Sequence, residues 1–156
     1  MRLHICAVGR LRAGPERSLI DDYLMRADRT GRALGLGPVN VIEVEAKKGG
    51  GMTAEAGLLE KAMPKGARVV ALDERGKVMT SPAFADVLAT WRDTSSQDVA
   101  FLIGGADGID PGLRAKADMM LSFGQMVWPH MLVRVMLAEQ IYRTTSILAG
   151  GPYHRA

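Results

Sequence analysis

Short apolar runs alternate with polar and glycine-rich stretches along this chain of 156 residues. The runs are four to six residues long and bounded by turn-forming residues, which is typical of buried strands rather than helices. Five such runs predict strands at residues 3–8, 39–44, 68–73, 99–103 and, less regularly, 120–123.

The segments between these runs carry apolar residues at helical spacing and helix-start signals. Pro15 suits a first helical position, and Glu16 adds an acid to that first turn. The remaining predicted starts are a Thr53 cap for a helix to about residue 63, a Ser81 cap with Pro82 for a helix to about 92, an Asp110 cap with Pro111, and His130 for a helix to about 148.

Strands alternating with helices predict an α/β fold, a parallel sheet with helices on both faces. Residues 1–156 contain no internal repeat, linker or low-complexity tract, so we expect a single domain. Ligands of such sheets bind beyond the carboxyl ends of the strands. This rule draws attention to Gly9, Asp73 and the segment 104–108.

Composition is that of an ordinary globular chain, with 47% hydrophobic and 24% charged residues. It excludes intrinsic disorder, and no apolar run approaches the ~20 residues that span a bilayer. The apolar stretch near the amino end is too short for a signal peptide. Cys6 is the only cysteine and cannot form an intrachain disulfide, which suits a reducing compartment. We therefore expect a cytoplasmic protein with no membrane contact.

The net charge of +3 arises entirely within residues 1–32, which carry seven arginines and four acids. Arginine forks suit phosphate oxygens, so a polyanionic partner is one interpretation. A solvated helix face is the other, and charge alone favours it because the excess is small. The seven arginines are Arg2, Arg10, Arg12, Arg17, Arg26, Arg29 and Arg32.

Several familiar chemistries have no counterpart in the sequence. Three histidines and one cysteine form no zinc-binding pattern, so we expect no metal. The sequence also lacks a P-loop, a G-x-S-x-G elbow and the Rossmann spacing G-x-G-x-x-G. The glycines at 104, 105 and 108 indicate either a tight turn or the close approach of a flat ligand.

The last predicted helix and the tail that follows it carry the remaining candidate chemistry. The helix is apolar nearly all round, which favours a partner surface and a homodimer. Its charged residues include Glu139 and Arg143, whose spacing of four suits an ion pair. The tail groups Tyr153, His154 and Arg155, which either fray or together stack a base, move a proton and hold a phosphate.

Taken together, these segments resemble the ribosomal RNA large-subunit methyltransferase H family, a branch of the SPOUT (α/β-knot) methyltransferases. The resemblance covers essentially the whole chain. It rests on the start at 3–9, Leu72-Asp73 with Gly76-Lys77, Leu102-Ile103-Gly104-Gly105 with Gly108, Pro129-His130 with Val133-Arg134-Val135, Ala138-Glu139-Gln140 with Tyr142-Arg143, and Tyr153-His154-Arg155.

The resemblance implies a carboxyl-terminal trefoil knot, a homodimer and S-adenosylmethionine bound in the knot. It also implies methylation of N3 of a pseudouridine in 23S rRNA of the assembled ribosome. The implied cofactor-binding residues are Leu72, Asp73, Gly104, Gly105, Gly124, Gln125, Met126, Val127, Trp128 and Pro129. The candidate catalytic residues are His154, Arg134, Tyr153, Arg155 and His130.

Within this resemblance, His154 or His130 accepts the proton of the target nitrogen, and Arg134 or Arg155 stabilises the ring anion. Tyr153, His154 and Arg155 are expected to reach the cofactor pocket of the other protomer. Two alternatives remain. A non-enzymatic ribosome-binding module would not bind S-adenosylmethionine, and a SPOUT enzyme for transfer RNA or a ribose hydroxyl usually carries an added RNA-binding domain.

Overall fold

The computed structural model describes residues 1–48 and 50–155. Gly49 of the glycine-rich stretch and Ala156 of the tail lie outside the described residues. The described chain forms the strands β1 (Arg2–Val8), β2 (Val39–Val44), β3 (Arg68–Lys77), β4 (Asp98–Ile103) and β5 (Met119–Leu121). Its α-helices are α1 (Pro15–Gly31), α2 (Gly51–Ala62), α3 (Ser81–Asp93), α4 (Pro111–Ala115) and α5 (His130–Ala149), and a 3-10 turn at Arg32–Leu34 follows α1.

The five strands form one sheet in the order β2-β1-β4-β3-β5, and all paired strands are parallel. Alternate residues of the central strands feed two separate cores. Leu3 and Ile5 of β1 pack with α1, α3 and α5, whereas Cys6 and Val8 pack with α2 and α4. The structure thus confirms the predicted parallel sheet with helices on both faces.

Two predicted helix caps were wrong. Helix α2 begins at Gly51, before Thr53, and no side chain caps its amino end. Helix α3 begins at Ser81 itself, because the hydroxyl of Thr80 accepts the Ala83 N–H at 3.2 Å and performs the capping. The Asp110 cap is confirmed, since its carboxylate accepts the N–H groups of Gly112 and Leu113.

Strand β3 extends four residues beyond its predicted end at Asp73. The extension is held by β5, whose Leu121 pairs first with Leu72 and then, after a shift in register, with Lys77. Gly76 permits this close approach, because a Cβ there would lie 2.7 Å from the carbonyl of Met120. The extension places residues 73–77 beside the carboxyl ends of β4 and β5.

Candidate functional site

A cavity of about 600 Å³ opens at the carboxyl ends of β3, β4 and β5. It lies where strand-order arguments expect a ligand in a parallel sheet, and its volume suits a small-molecule cofactor. Nine of the ten predicted cofactor-binding residues line it, together with His130. The exception is Gln125, an exposed residue that does not contribute to the wall.

The loop after β4 forms one wall of the cavity and folds back on itself. Gly105 and Gly108 form a bridge in which the Gly108 N–H donates to the Gly105 carbonyl at 3.0 Å. A Cβ at Gly104 would lie 2.5 Å from the carbonyl carbon of Gly108, so only glycine fits at that crossing. The loop therefore presents mainly backbone groups to the cavity.

The end of β3 supplies a buried carboxylate, Asp73. Its oxygens accept Nε and Nη2 of Arg75, each at 2.9 Å, and Nη1 of Arg114 at 3.4 Å. The hydrogen bond from the Arg75 side chain lowers the pKa of Asp73 despite the opposing effect of burial. Asp73 is thus held ionised between two guanidinium groups. Neither arginine was among the predicted site residues, although the mixed-charge segment 72–77 is visible in the sequence.

The segment after β5 forms the outer wall. Ser122 anchors it, because its hydroxyl donates to the carbonyls of Glu74 at 3.1 Å or Gly124 at 2.9 Å. Gly124 then takes a φ of +119°, a conformation that favours glycine. Beyond it three apolar side chains stand in solvent, Met126 at 73%, Val127 at 79% and Trp128 at 41% exposure.

Helix α5 carries candidate residues at both ends. His130 opens the helix and lines the cavity, and its Nδ1 is buried without a hydrogen-bond partner among the described residues. Arg134, one turn later, is only 3% exposed. Its Nη2 donates to the carbonyls of Val8 and Gly9, and its Nη1 lies 2.6 Å from Glu43. Arg134 therefore ties α5 to the ends of β1 and β2.

The tail packs against the other half of α5. The Tyr153 hydroxyl donates to Glu139 at 2.9 Å, and the Tyr153 ring lies 4.6 Å from that of Tyr142. Burial and the Glu139 carboxylate raise the pKa of Tyr153, so it remains a phenol. Arg155 is exposed. The predicted ion pair of Glu139 with Arg143 is confirmed at 2.5 Å.

The structure thus divides the candidate residues into two groups. Tyr153 and His154 contact Glu139 and Arg143, which lie nine and thirteen residues after His130, or about 14–20 Å along α5. The cavity group comprises His130 and the cofactor-binding candidates, and the tail group comprises Tyr153, His154 and Arg155. Arg134 faces neither group, since it is held by Glu43 and two carbonyls.

Of the seven amino-terminal arginines, four lie in ion pairs with nearby acids. Arg2 pairs with Asp98, and Arg10 pairs with Glu45 at 3.2 Å. The other two, Arg17 and Arg26, pair along helix α1 with Asp21 and Asp22. Only the pairs of Arg2 and Arg10 use acids from outside residues 1–32, so two of the three excess positive charges are locally compensated.

His, Cys, Asp and Glu side chains within residues 1–48 and 50–155 form no group of three that could hold a metal ion. In the same described part of the chain, no helix combines the length and apolar character required to cross a membrane.

Comparison with known proteins gives matches along the whole chain. A family profile described as "Predicted SPOUT methyltransferase" matches residues 1–154. The chain is 72% identical over 155 residues to "Ribosomal RNA large subunit methyltransferase H" of Ruegeria sp. (strain TM1040), and 71% identical over 155 residues to the protein of the same name from Ruegeria pomeroyi (strain ATCC 700808 / DSM 15171 / DSS-3). Each match covers 99% of both chains.

Among solved structures, a probable methylase family protein from Haemophilus influenzae Rd KW20 matches with a TM-score of 0.51 and 10% identity. The match covers 99% of this chain and 70% of that one, and at this identity it speaks for the fold alone. The full-length relatives confirm the resemblance drawn from the sequence.

Proposed function

Because the chain belongs to the SPOUT methyltransferase family, we propose that it transfers a methyl group from S-adenosylmethionine to N3 of a pseudouridine in 23S rRNA of the assembled ribosome. The observation that carries this proposal is the cavity at the carboxyl ends of β3, β4 and β5, in a chain 72% identical to a ribosomal RNA methyltransferase over its full length. A cytoplasmic location, where ribosomes are assembled, is part of the proposal.

The cavity residues fit S-adenosylmethionine. Leu72, Met126 and Val127 offer apolar surface for an adenine ring, and the indole of Trp128 offers a flat one. The backbone of the loop at Gly104 and Gly105 offers donors and acceptors to the polar edges. When bound, S-adenosylmethionine supplies a methyl group by in-line displacement, in which N3 forms the bond to the methyl carbon and the carbon–sulfur electrons stay on sulfur. Positioning by these walls supplies much of the rate.

We propose that the chain works as a homodimer. Within one chain the tail packs against Glu139 and Arg143, about 14–20 Å along α5 from His130, which is longer than a single base. Two copies related by a two-fold axis would each bring a tail to the other's cavity. The exposed apolar side chains of Met131 and Leu132, at the start of α5, offer surface for such a contact.

We also propose that the chain forms a trefoil knot around the cavity, as the family resemblance implies. The supporting contacts join the segment after β5 to the extension of β3. The Ser122 N–H donates to the Lys77 carbonyl at 3.0 Å, and its hydroxyl lies 3.1 Å from the Glu74 carbonyl. An experimental electron-density map traced continuously through residues 72–130 decides whether the chain threads this loop.

The proposed substrate-side residues are Tyr153, His154 and Arg155 of one protomer. Arg155, exposed at the chain end, stabilises the ring anion, and Arg134 holds the cavity end of α5 in place. The proton of N3 passes to a histidine. Methyl transfer at the full rate by a chain that lacks residues 152–156 would contradict this assignment.

Calorimetric titration with S-adenosylmethionine tests the cofactor site. Trp128→Ala removes a cavity wall and should weaken binding about tenfold, or about 1.4 kcal/mol. Met126→Ala should weaken it less, and Met25→Ala, the same change at a half-exposed position of α1 outside the cavity, should leave it unchanged.

Gly105→Val adds a side chain at the cavity loop. Its Cβ would lie 3.0 Å from a flexible Glu55 oxygen and 3.3 Å from Cγ1 of the buried Val8, so the loop should shift and binding should be lost, and circular dichroism establishes that the variant is folded. No heat from the wild type, with or without ribosomes, would favour the non-enzymatic ribosome-binding module. Labelled methyl transfer to ribosomes, rather than to transfer RNA, then separates the proposal from the other SPOUT alternative.

A further inference from the structure

His154 is fixed to the body of the protein through one ring nitrogen. Its Nδ1 lies 3.1 Å from Nη1 of Arg143, and Arg143 in turn donates Nε and Nη2 to Glu139. Among the described residues, no group forms a hydrogen bond with His154 Nε2. The imidazole is therefore anchored on the Nδ1 side and available on the Nε2 side.

The anchoring determines which nitrogen carries the proton. A guanidinium has five N–H donors and no acceptor, so the Nδ1 that faces it must offer its lone pair. A neutral imidazole with an unprotonated Nδ1 carries its single hydrogen on Nε2. We propose that His154 serves as a hydrogen-bond donor through Nε2–H, and that it is not the base that removes the substrate proton.

The groups around His154 keep Arg143 in this role. Arg143 lies over the Tyr153 ring with its guanidinium carbon 4.7 Å from the ring centre. The hydrogen bond to Glu139 raises the pKa of Arg143, so the guanidinium remains charged. Tyr153 remains a phenol that donates to the same carboxylate. Glu139 thus organises the cluster, and Arg143 turns its third donor towards His154.

This inference rests on the proposed function and deepens it. A pyrimidine N3 lies between two carbonyl groups, and loss of its proton places negative charge on their oxygens. A fixed N–H donor aimed at one of these oxygens stabilises that charge as it develops. His154 then supplies the hydrogen bond and moves no proton, so of the two histidines His130 remains as the proton acceptor.

Nitrogen-15 NMR of the histidine rings tests the tautomer without any substrate. His4 provides an internal reference, because its Nε2 lies 2.8 Å from the Asp98 carboxylate, which requires a hydrogen on Nε2. We expect His154 at pH 7 to show a protonated Nε2 and an unprotonated Nδ1. A protonated Nδ1, in either the other tautomer or an imidazolium, would overturn the inference.

The same spectra test the positioning role of Arg143. Arg143→Met should allow protonated Nδ1 to appear at His154 while leaving the His4 signals unchanged. Circular dichroism establishes that the variant is folded. An unchanged His154 tautomer in the folded variant would show that Arg143 does not select it.

Two substitutions of His154 then separate a donor from a base. Glutamine keeps an N–H donor near the position of Nε2 but cannot take up a proton, whereas leucine provides neither. With ribosomes lacking the methyl group as substrate, His154→Gln should stay within about tenfold of the wild-type rate. His154→Leu should lose about 10²–10³-fold, the usual cost of a lost charge-stabilising donor.

Equal losses in the two variants would contradict the donor role. Should the wild type transfer no methyl group to ribosomes, the proposed function fails and the pyrimidine contact fails with it. The tautomer itself would still be decided by the spectra, so the two failures can be told apart.

Discussion

Arg134 on α5 and Glu43 on β2 form an ion pair with an Nη1–Oε2 distance of 2.6 Å, although they are 91 residues apart in sequence. The same Glu43 oxygen accepts the Leu11 N–H at 2.6 Å. Burial alone would raise the pKa of Glu43, but the hydrogen bonds from Leu11 and Arg134 and the charges of Arg134 and Arg17 lower it. One carboxylate thus fixes the start of α5 and the loop that carries Arg10 and Arg12.

Glu43→Gln should lower the free energy of unfolding by about 1–3 kcal/mol, because Arg134 keeps a buried charge with weaker partners. The Leu11 amide should also exchange its hydrogen faster. Glu45→Gln is the matched control, since the pair of Glu45 with Arg10 is 58% and 76% exposed and should contribute little. Urea unfolding and amide hydrogen exchange measure both effects, and equal results for the two variants would argue against the role of Glu43.

Stability should fall in acid. The pKa values of Glu43, Asp73 and Asp98 are lowered in the folded state from ordinary values of 4.5 for Glu43 and 3.8 for the aspartates. The unfolded chain therefore takes up protons first as the pH falls. The stabilisation that these three carboxylates provide should be complete above their ordinary pKa values. It should be lost as the pH falls through their lower folded-state pKa values.

Urea unfolding between pH 7 and pH 3 measures this slope. Asp98→Asn should flatten the decline, because the hydrogen bonds from Arg2 and His4 no longer depend on an ionised carboxyl. Asp86→Asn changes an exposed carboxyl on α3 and should retain the wild-type slope. A wild-type stability that rises on acidification would be incompatible with the three lowered pKa values.

Two glycine-to-alanine substitutions should change the free energy of unfolding in opposite directions. Gly104→Ala forces a Cβ against the backbone of Gly108 and should cost about 1–3 kcal/mol of stability. Gly57→Ala lies in the interior of α2 with open space around its Cβ, and should stabilise the protein by about 0.5–1 kcal/mol. Thermal unfolding of both variants provides the comparison. An unchanged stability of the Gly104→Ala variant would mean that the loop can open without loss of the fold.

Binding of ribosomes should weaken steeply as salt rises if the exposed arginines contact RNA phosphates. Arg10→Gln and Arg12→Gln should each lower the affinity and reduce the salt slope by about one unit. Lys65→Gln removes an exposed charge from the turn before the amino end of β3, whereas Arg10 and Arg12 follow the carboxyl end of β1, and this variant should change neither quantity. Sedimentation with ribosomes at several salt concentrations gives the slopes.

The sequence was sufficient to predict the sheet, the presence of its helices and two walls of the cavity, Asp73 and the loop 104–108, because these follow from local apolar periodicity and from the rule for strand ends. The wall at 124–129 was predicted only by the family resemblance, and Gly9, which the same rule indicated, does not line the cavity. It also predicted the Glu139–Arg143 pair, which depends on helical spacing alone. It placed a cap at Ser81 instead of Thr80, since both hydroxyls precede Pro82 and only backbone geometry distinguishes them.

Contacts between distant segments could not be predicted in the same way. The extension of β3 depends on pairing with β5, and the Glu43 contact depends on how α5 lies over the sheet. The only sequence signal for the structural role of Glu43 was the presence of an acid within an otherwise mostly apolar run. The hydrogen bond from Arg143 to His154 requires the tail to turn back after Gly150, whose αL conformation ends α5.

The length of α5 has a consequence for when the protein becomes active. Under the proposed arrangement, the cavity and the tail of a newly made chain cannot act on the same nucleotide, because about 14–20 Å of rigid helix separates them. When two such chains associate, both sites become complete at the same time. Specific activity would then depend on protein concentration, and dilution would silence the enzyme without unfolding it.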